Sequence, residues 1–101
     1  MAHVTVFRYK TQPGKRQAIL DLMDKWEREQ MPKAGGFQRS VVVASNNDPD
    51  EFTSVVFWDN TENYNKNSNR PEQSAWYQEF RANLVSDPIW FDGTVAAESS
   101  A

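Results

Sequence analysis

Along this chain the apolar residues switch between a two-residue spacing and a spacing of about 3.6, and that order restricts the fold more than any single motif. His3 to Lys10 reads HVTVFRYK, with Val4 and Val6 on one face and Thr5, Phe7 and Tyr9 on the other, the pattern of a strand at least partly covered on both faces. After Gln12-Pro13-Gly14, residues Ala18, Ile19, Leu22, Met23 and Trp26 fall at helical spacing. The wet side offers Asp21 with Lys25 and Asp24 with Arg28 as i,i+4 pairs, so a helix of about four turns is predicted. Pro32 and Gly35-Gly36 close it.

Phe37 to Ser45, with its Val41-Val42-Val43 run, and Glu51 to Trp58 read as strands. The turn formers from Asn46 to Asp50 make them an antiparallel hairpin. Asp59-Asn60-Thr61-Glu62 predicts a helix start in which Glu62 reaches back to close the cap. Pro71 cannot lie inside a straight helix, so a break near Ser68 to Arg70 is expected. A longer helix then carries Trp76, Tyr77, Phe80 and Leu84 on one stripe, until Ser86-Asp87-Pro88 stops it. Ile89 to Ala97 is the last predicted strand. The order β-α-β-β-α-β is that of an α+β, ferredoxin-like antiparallel sheet with its helices on one face. Large apolar residues on both sides of the strands leave the other face uncovered, which predicts a homodimer closed through that face.

At 101 residues, one domain spanning 1–101 is expected. The net charge of −3 provides no basic field for phosphates, so nucleic acid is not an expected partner. The chain has no cysteine and His3 is its only histidine. Thiolate chemistry, cysteine-rich metal sites and histidine clusters are therefore excluded. No stretch is long and apolar enough to enter a membrane, and the start lacks the layout of a signal peptide, so a cytoplasmic location is expected.

In its Pro13-Gly14-Lys15 turn, its Gly35-Gly36-Phe37 segment, Val55-Val56-Phe57-Trp58 running into Asn60 to Glu62, and the broken second helix with Trp76-Tyr77 and Phe80, the sequence resembles the antibiotic biosynthesis monooxygenase family. The resemblance covers roughly His3 to Glu98 and implies a dimeric α+β barrel. It also implies a pocket between the sheet and the second helix, where quinols, anthrone-like polyphenols or, in one branch, heme are oxidised by O2. The heme-degrading branch relies on a second-helix histidine and a first-strand asparagine, and this chain has neither. Many other members of the family carry a histidine on the second helix, for which Asn65, Asn67 or Asn69 is the nearest substitute here, and an amide cannot exchange protons near neutral pH.

The resemblance therefore implies oxidation of a small aromatic molecule without metal, heme or other cofactor. Trp58 matches the tryptophan that the family often places at the end of the third strand. Trp58, Asn67 and Arg70 are the catalytic candidates, the last two as hydrogen-bond and charge partners for an oxygen anion. Tyr9, Tyr64, Trp76, Tyr77 and Phe80 are the substrate-binding candidates. Asp59, Glu62 and Glu72 are assigned to helix capping, and Trp26 and Trp90 to packing. The competing expectation is a non-catalytic ligand-binding or stress-related protein that kept the fold.

Overall fold

The computed structural model describes residues 2–101. Strand β1 (His3–Lys10) lies at the centre of a four-stranded antiparallel sheet, between β3 (Glu51–Trp58) and β4 (Ile89–Thr94), and β2 (Phe37–Ala44) pairs with the outer side of β3. The bounds of β1 and β3 coincide with those read from alternation. Helix α1 (Arg16–Glu29) links β1 to β2, and α2 (Thr61–Ser68) with α3 (Pro71–Ala82) links β3 to β4, which is the ferredoxin-like order. None of the helices among the described residues is long and apolar enough to cross a membrane.

Alternation divides the sheet into two chemically different faces. His3, Thr5, Phe7 and Tyr9 of β1 and Phe52, Ser54 and Trp58 of β3 are buried on the helix side. Phe7, Tyr9, Phe52, Ile19, Leu22, Trp76, Phe80 and Leu84 form the core there. The opposite face carries Val4, Val6, Val55 and Phe57, half-buried, beside exposed Val41, Val43, Ile89 and Phe91. Ile89 and Phe91 are 72% and 70% exposed, so no helix covers this face.

Where an element ends is decided by neighbouring chain. Asn60 rather than Asp59 caps α2, its side chain accepting from the Asn63 backbone N–H at 2.8 Å. Glu62 therefore stands one position too early to close a capping box and pairs with Lys66 instead. Asp59 accepts from the Asn63 side-chain amide. On α1 the Asp24–Arg28 pair forms, whereas Asp21 accepts from Gln17 and Lys25 reaches Glu79 on α3, a geometry that ties the two helices together.

Helix α3 stops at Ala82, before Leu84, because the end of β1 claims the next residues. Gln12 N donates to Asn83 O, Val85 N donates to Lys10 O, and Leu84 bridges to Thr11. β4 ends at Thr94, short of Ala97, since Thr94 lies opposite His3, where β1 begins. A single further bond follows, from Val95 N to Ala2 O.

Candidate functional site

Between the helix-facing side of the sheet and the three helices lies a cavity of about 1050 Å³. Thr5, Phe7, Ser54, Val56, Trp58 and Trp90 come from the sheet, Met23 and Trp26 from α1, Tyr64 and Asn67 from α2, and Gln73, Trp76, Tyr77 and Phe80 from α3. These positions follow from alternation on the strands and from one helical face each on α1 and α3. Two runs of rings make the walls. Trp26, Phe37, Trp58 and Tyr64 follow one another with centroid distances of 5.0, 5.6 and 6.0 Å, and His3, behind the wall, stacks on Tyr64 at 4.3 Å. Elsewhere Trp90 stacks on Phe7 at 4.7 Å and Tyr77 stands 5.9 Å from Trp90.

The three tryptophans that β3, α1 and α3 bring to the wall differ in one respect. Trp76 Nε1 donates to Leu22 O at 2.8 Å, and Trp26 Nε1 donates to Gln73 Oε1 at 2.7 Å. Trp58 is 2% exposed, and its Nε1–H is buried with no hydrogen-bond partner among the described residues. A buried donor left unpaired costs about 1–3 kcal/mol, so such groups are few in native structures.

Asn67 is buried, and its Oδ1 accepts from Arg70 Nε at 3.1 Å and Nη2 at 3.0 Å. The amide orientation is thereby set, with its NH2 group making no side-chain hydrogen bond among the described residues. Arg70 itself also donates to Gln30 Oε1 at 3.1 Å. It stands behind Asn67, outside the cavity lining, and its guanidinium fixes the orientation of the amide.

Of the expected site residues the structure brings Trp58, Asn67, Tyr64, Trp76, Tyr77 and Phe80 to the cavity. Tyr9 is a correction: its ring is buried against Phe7, Phe52 and Phe80, and its hydroxyl lies 2.9 Å from Ser54 Oγ. Trp26 and Trp90, assigned to packing, line the cavity as well. His3 and Thr5 lie beside Phe7 and Tyr9 on the same face of β1. Alternation carries this signal in the sequence, but a residue as near the chain start as His3 reads as peripheral. Among the described residues no group of three or more His, Asp or Glu side chains is placed to hold a metal ion.

Burial pushes the Tyr9 hydroxyl up from 10.0 to about 12, with the Ser54 hydrogen bond opposing it. Below pH 10 the phenol is neutral in folded and unfolded chains alike. Above it the unfolded chain ionises first, so stability present below pH 10 is lost on the way to pH 12, by on the order of 2 kcal/mol. Denaturant titrations between pH 9 and 12 are expected to show this decline, and Tyr9→Phe to flatten it. At neutral pH the same variant is expected to lose about 1 kcal/mol with the Ser54 contact.

Comparison with known proteins gives this geometry its family. The family model for antibiotic biosynthesis monooxygenase matches residues 2–79. The chain belongs to that family. No curated protein sequence matches it. Among solved structures, SnoaB of Streptomyces nogalater, described as a cofactor-independent oxygenase, is similar at 13% identity. That match covers 97% of this chain and 95% of SnoaB, with a TM-score of 0.80. A conserved protein of Methanosarcina mazei Go1 is similar at 15% identity over 92% of this chain and 91% of its own, with a TM-score of 0.82. Rv0793 of Mycobacterium tuberculosis is similar at 13% identity over 99% and 100%, also with a TM-score of 0.82. At such identities the likeness is one of fold, and the monooxygenase family sheet and helices are those described above.

Proposed function

We propose that this family member oxidises a small aromatic polyphenol, a quinol or an anthrone-like ring system, with O2 and without metal or heme. The observation that carries the reading is an aromatic-walled cavity lined by Trp58, whose buried Nε1–H has no partner among the described residues. An oxygen atom on a flat substrate is the partner such a donor lacks, and the rings of Trp76, Tyr77 and Phe80 suit a planar polycycle. The description of SnoaB as a cofactor-independent oxygenase supports the same chemistry.

The reaction needs little from the protein beyond charge stabilisation and exclusion of water. Loss of a proton gives a phenolate or enolate, whose oxygen is held by Trp58 Nε1–H and the Asn67 NH2 group. The electron-rich anion passes one electron to O2. Substrate radical and superoxide then join in a C–O bond, and the peroxide takes up a proton. For an anthrone, loss of water breaks the O–O bond and leaves a carbonyl, so CH2 and O2 become C=O and H2O. Oxygen uptake with anthrone and naphthoquinol substrates is the test. Substrate-dependent uptake with one O2 per carbonyl formed is expected. Saturable binding without uptake would replace this reading with that of a non-catalytic ligand carrier.

The homodimer belongs to the same proposal. It is supported by the uncovered apolar face bearing Val41, Val43, Ile89 and Phe91. Sedimentation at micromolar concentration is expected to give about twice the 11.6 kDa chain mass. A monomer at that concentration would remove the barrel.

A further inference from the structure

Oxidation of a phenol or anthrone needs a group that takes the substrate proton, and the α2 amides cannot. His3 is 3% exposed and lies under the helices. Each ring nitrogen faces a hydroxyl, Nδ1 at 3.0 Å from Thr61 Oγ1 and Nε2 at 2.9 Å from Thr5 Oγ1. Thr5 Oγ1 in turn donates to Asp92 Oδ1 at 2.6 Å, and the same carboxylate oxygen is 3.4 Å from Nε2. From α2, Tyr64 stacks on the imidazole. In the sheet, Trp58 and Thr94 are the cross-strand neighbours of His3. Among these neighbours Asp92 is the one carboxylate, and its side chain is 47% exposed. Thr5 and Tyr64 line the cavity. A continuous run of exchangeable protons therefore leads from the cavity wall through Thr5 to His3 and to a wetted carboxylate.

We propose that Thr5, His3 and Asp92 form the proton relay of this cavity, with Thr5 meeting the phenolic or enolic hydroxyl of the bound aromatic and His3 acting through it. The proposal rests on the cavity being the aromatic oxidation site. Imidazole is the side chain suited to proton exchange near neutral pH. In the resting arrangement Thr5 spends its one proton on Asp92, so Nε2 carries hydrogen and Nδ1 accepts from Thr61. In the other tautomer Nδ1–H donates to Thr61, and the Thr5 hydrogen turns about its C–O bond toward Nε2. The substrate O–H bond then breaks as a Thr5 O–H bond forms, and the former Thr5 proton becomes Nε2–H. The imidazolium so formed has an oxygen at each nitrogen and the Asp92 carboxylate alongside. Reversal supplies the proton that the peroxide takes up. The carboxylate binds the hydroxyl side and not Nδ1, so this is not the geometry of a nucleophilic triad.

The test uses 2-hydroxyanthraquinone, a planar phenol already at the quinone level, whose neutral and ionised forms differ in colour. Its ionisation midpoint is followed by absorbance against pH while bound to the intact protein. Thr5→Val is expected to raise the bound midpoint by about one pH unit, a tenfold loss of ionised dye, and His3→Gln to do the same. Thr5→Ser, which restores the hydroxyl, is expected to return it close to the wild-type value, a recovery that a merely structural role for Thr5 does not require. Should His3→Gln fail to fold, the Thr5 pair decides. Dye that binds wild type and Thr5→Val with one and the same midpoint overturns the relay and leaves the cavity reading standing. Dye that does not bind wild type at all overturns both.

Discussion

Replacing Trp58 with Phe is expected to lower turnover of an anthrone or quinol by about 10²- to 10³-fold, the size of effect seen when one preorganised donor to a developing oxyanion is removed. The change keeps an aromatic ring in the wall and deletes the one buried indole N–H without a partner among the described residues. Stability should hardly move, to within about 1 kcal/mol, because the packing lost with the second ring is offset by relief of an unpaired buried donor. Trp26→Phe is the control. It breaks the 2.7 Å bond from Nε1 to Gln73 Oε1 and leaves Gln73 without its donor, so it should lower stability by about 0.5–1.5 kcal/mol and affect turnover less. Thermal melts and oxygen uptake on the two variants separate the roles. A Trp58→Phe protein that loses as much stability as the control while turning over normally would make Trp58 a packing residue and remove the donor from the mechanism.

Gly36→Ala should be the most damaging small substitution, at about 3–4 kcal/mol, through a left-handed backbone penalty of about 1–2 kcal/mol and the cost of overpacking. Gly36 has φ of +87°, a conformation that side-chain-bearing residues adopt only under strain. A Cβ at this position would overlap Asp59 Oδ1 and come within 2.8 Å of Asn63 Cβ. Neither neighbour can withdraw freely. The Asp59 carboxylate holds the Asn63 side chain, and Asp59 N donates to Gly36 O at 2.8 Å, which joins the lead into β2 to the start of α2. The melting temperature should fall by on the order of 10–20 °C. Gly35→Ala, whose Cβ meets nothing within 4 Å, should stay close to wild type. Equal melting of the two variants would show that the segment shifts to accept the methyl group.

Along α2, spacing in the sequence does not place side chains relative to the cavity. Asn67 and Arg70, both expected to hold an oxygen anion, lie in series, with the Arg70 guanidinium donating to the oxygen of Asn67. Spacing along a helix shows that two side chains are near each other and not which of them faces the cavity. Tyr9 lies outside the cavity lining for a related reason. Strand alternation assigns it to the helix side correctly, yet the rings of Phe52 and Phe80 cover it and Ser54 takes its hydroxyl, both from distant segments.

What the sequence by itself determined is local in origin. The two-residue alternation, the turn formers and Pro71 set β1, β3, the hairpin, the α2–α3 break and the division of the sheet into two faces, because each depends on residues a few positions apart. Tertiary structure alone decided where α3 and β4 end, since Lys10, Thr11 and Gln12 at the end of β1 bind the residues that follow α3, and β4 stops where its partner strand begins. It also decided the chemistry of the wall. His3 meets Thr61 across 58 residues of chain and Thr5 meets Asp92 across 87, and Trp58 Nε1 is left unpaired because the sheet and helices close around it. Hydrogen bonds between such distant positions have no periodic signature in the chain, because they arise from burial, which no short segment can impose on itself.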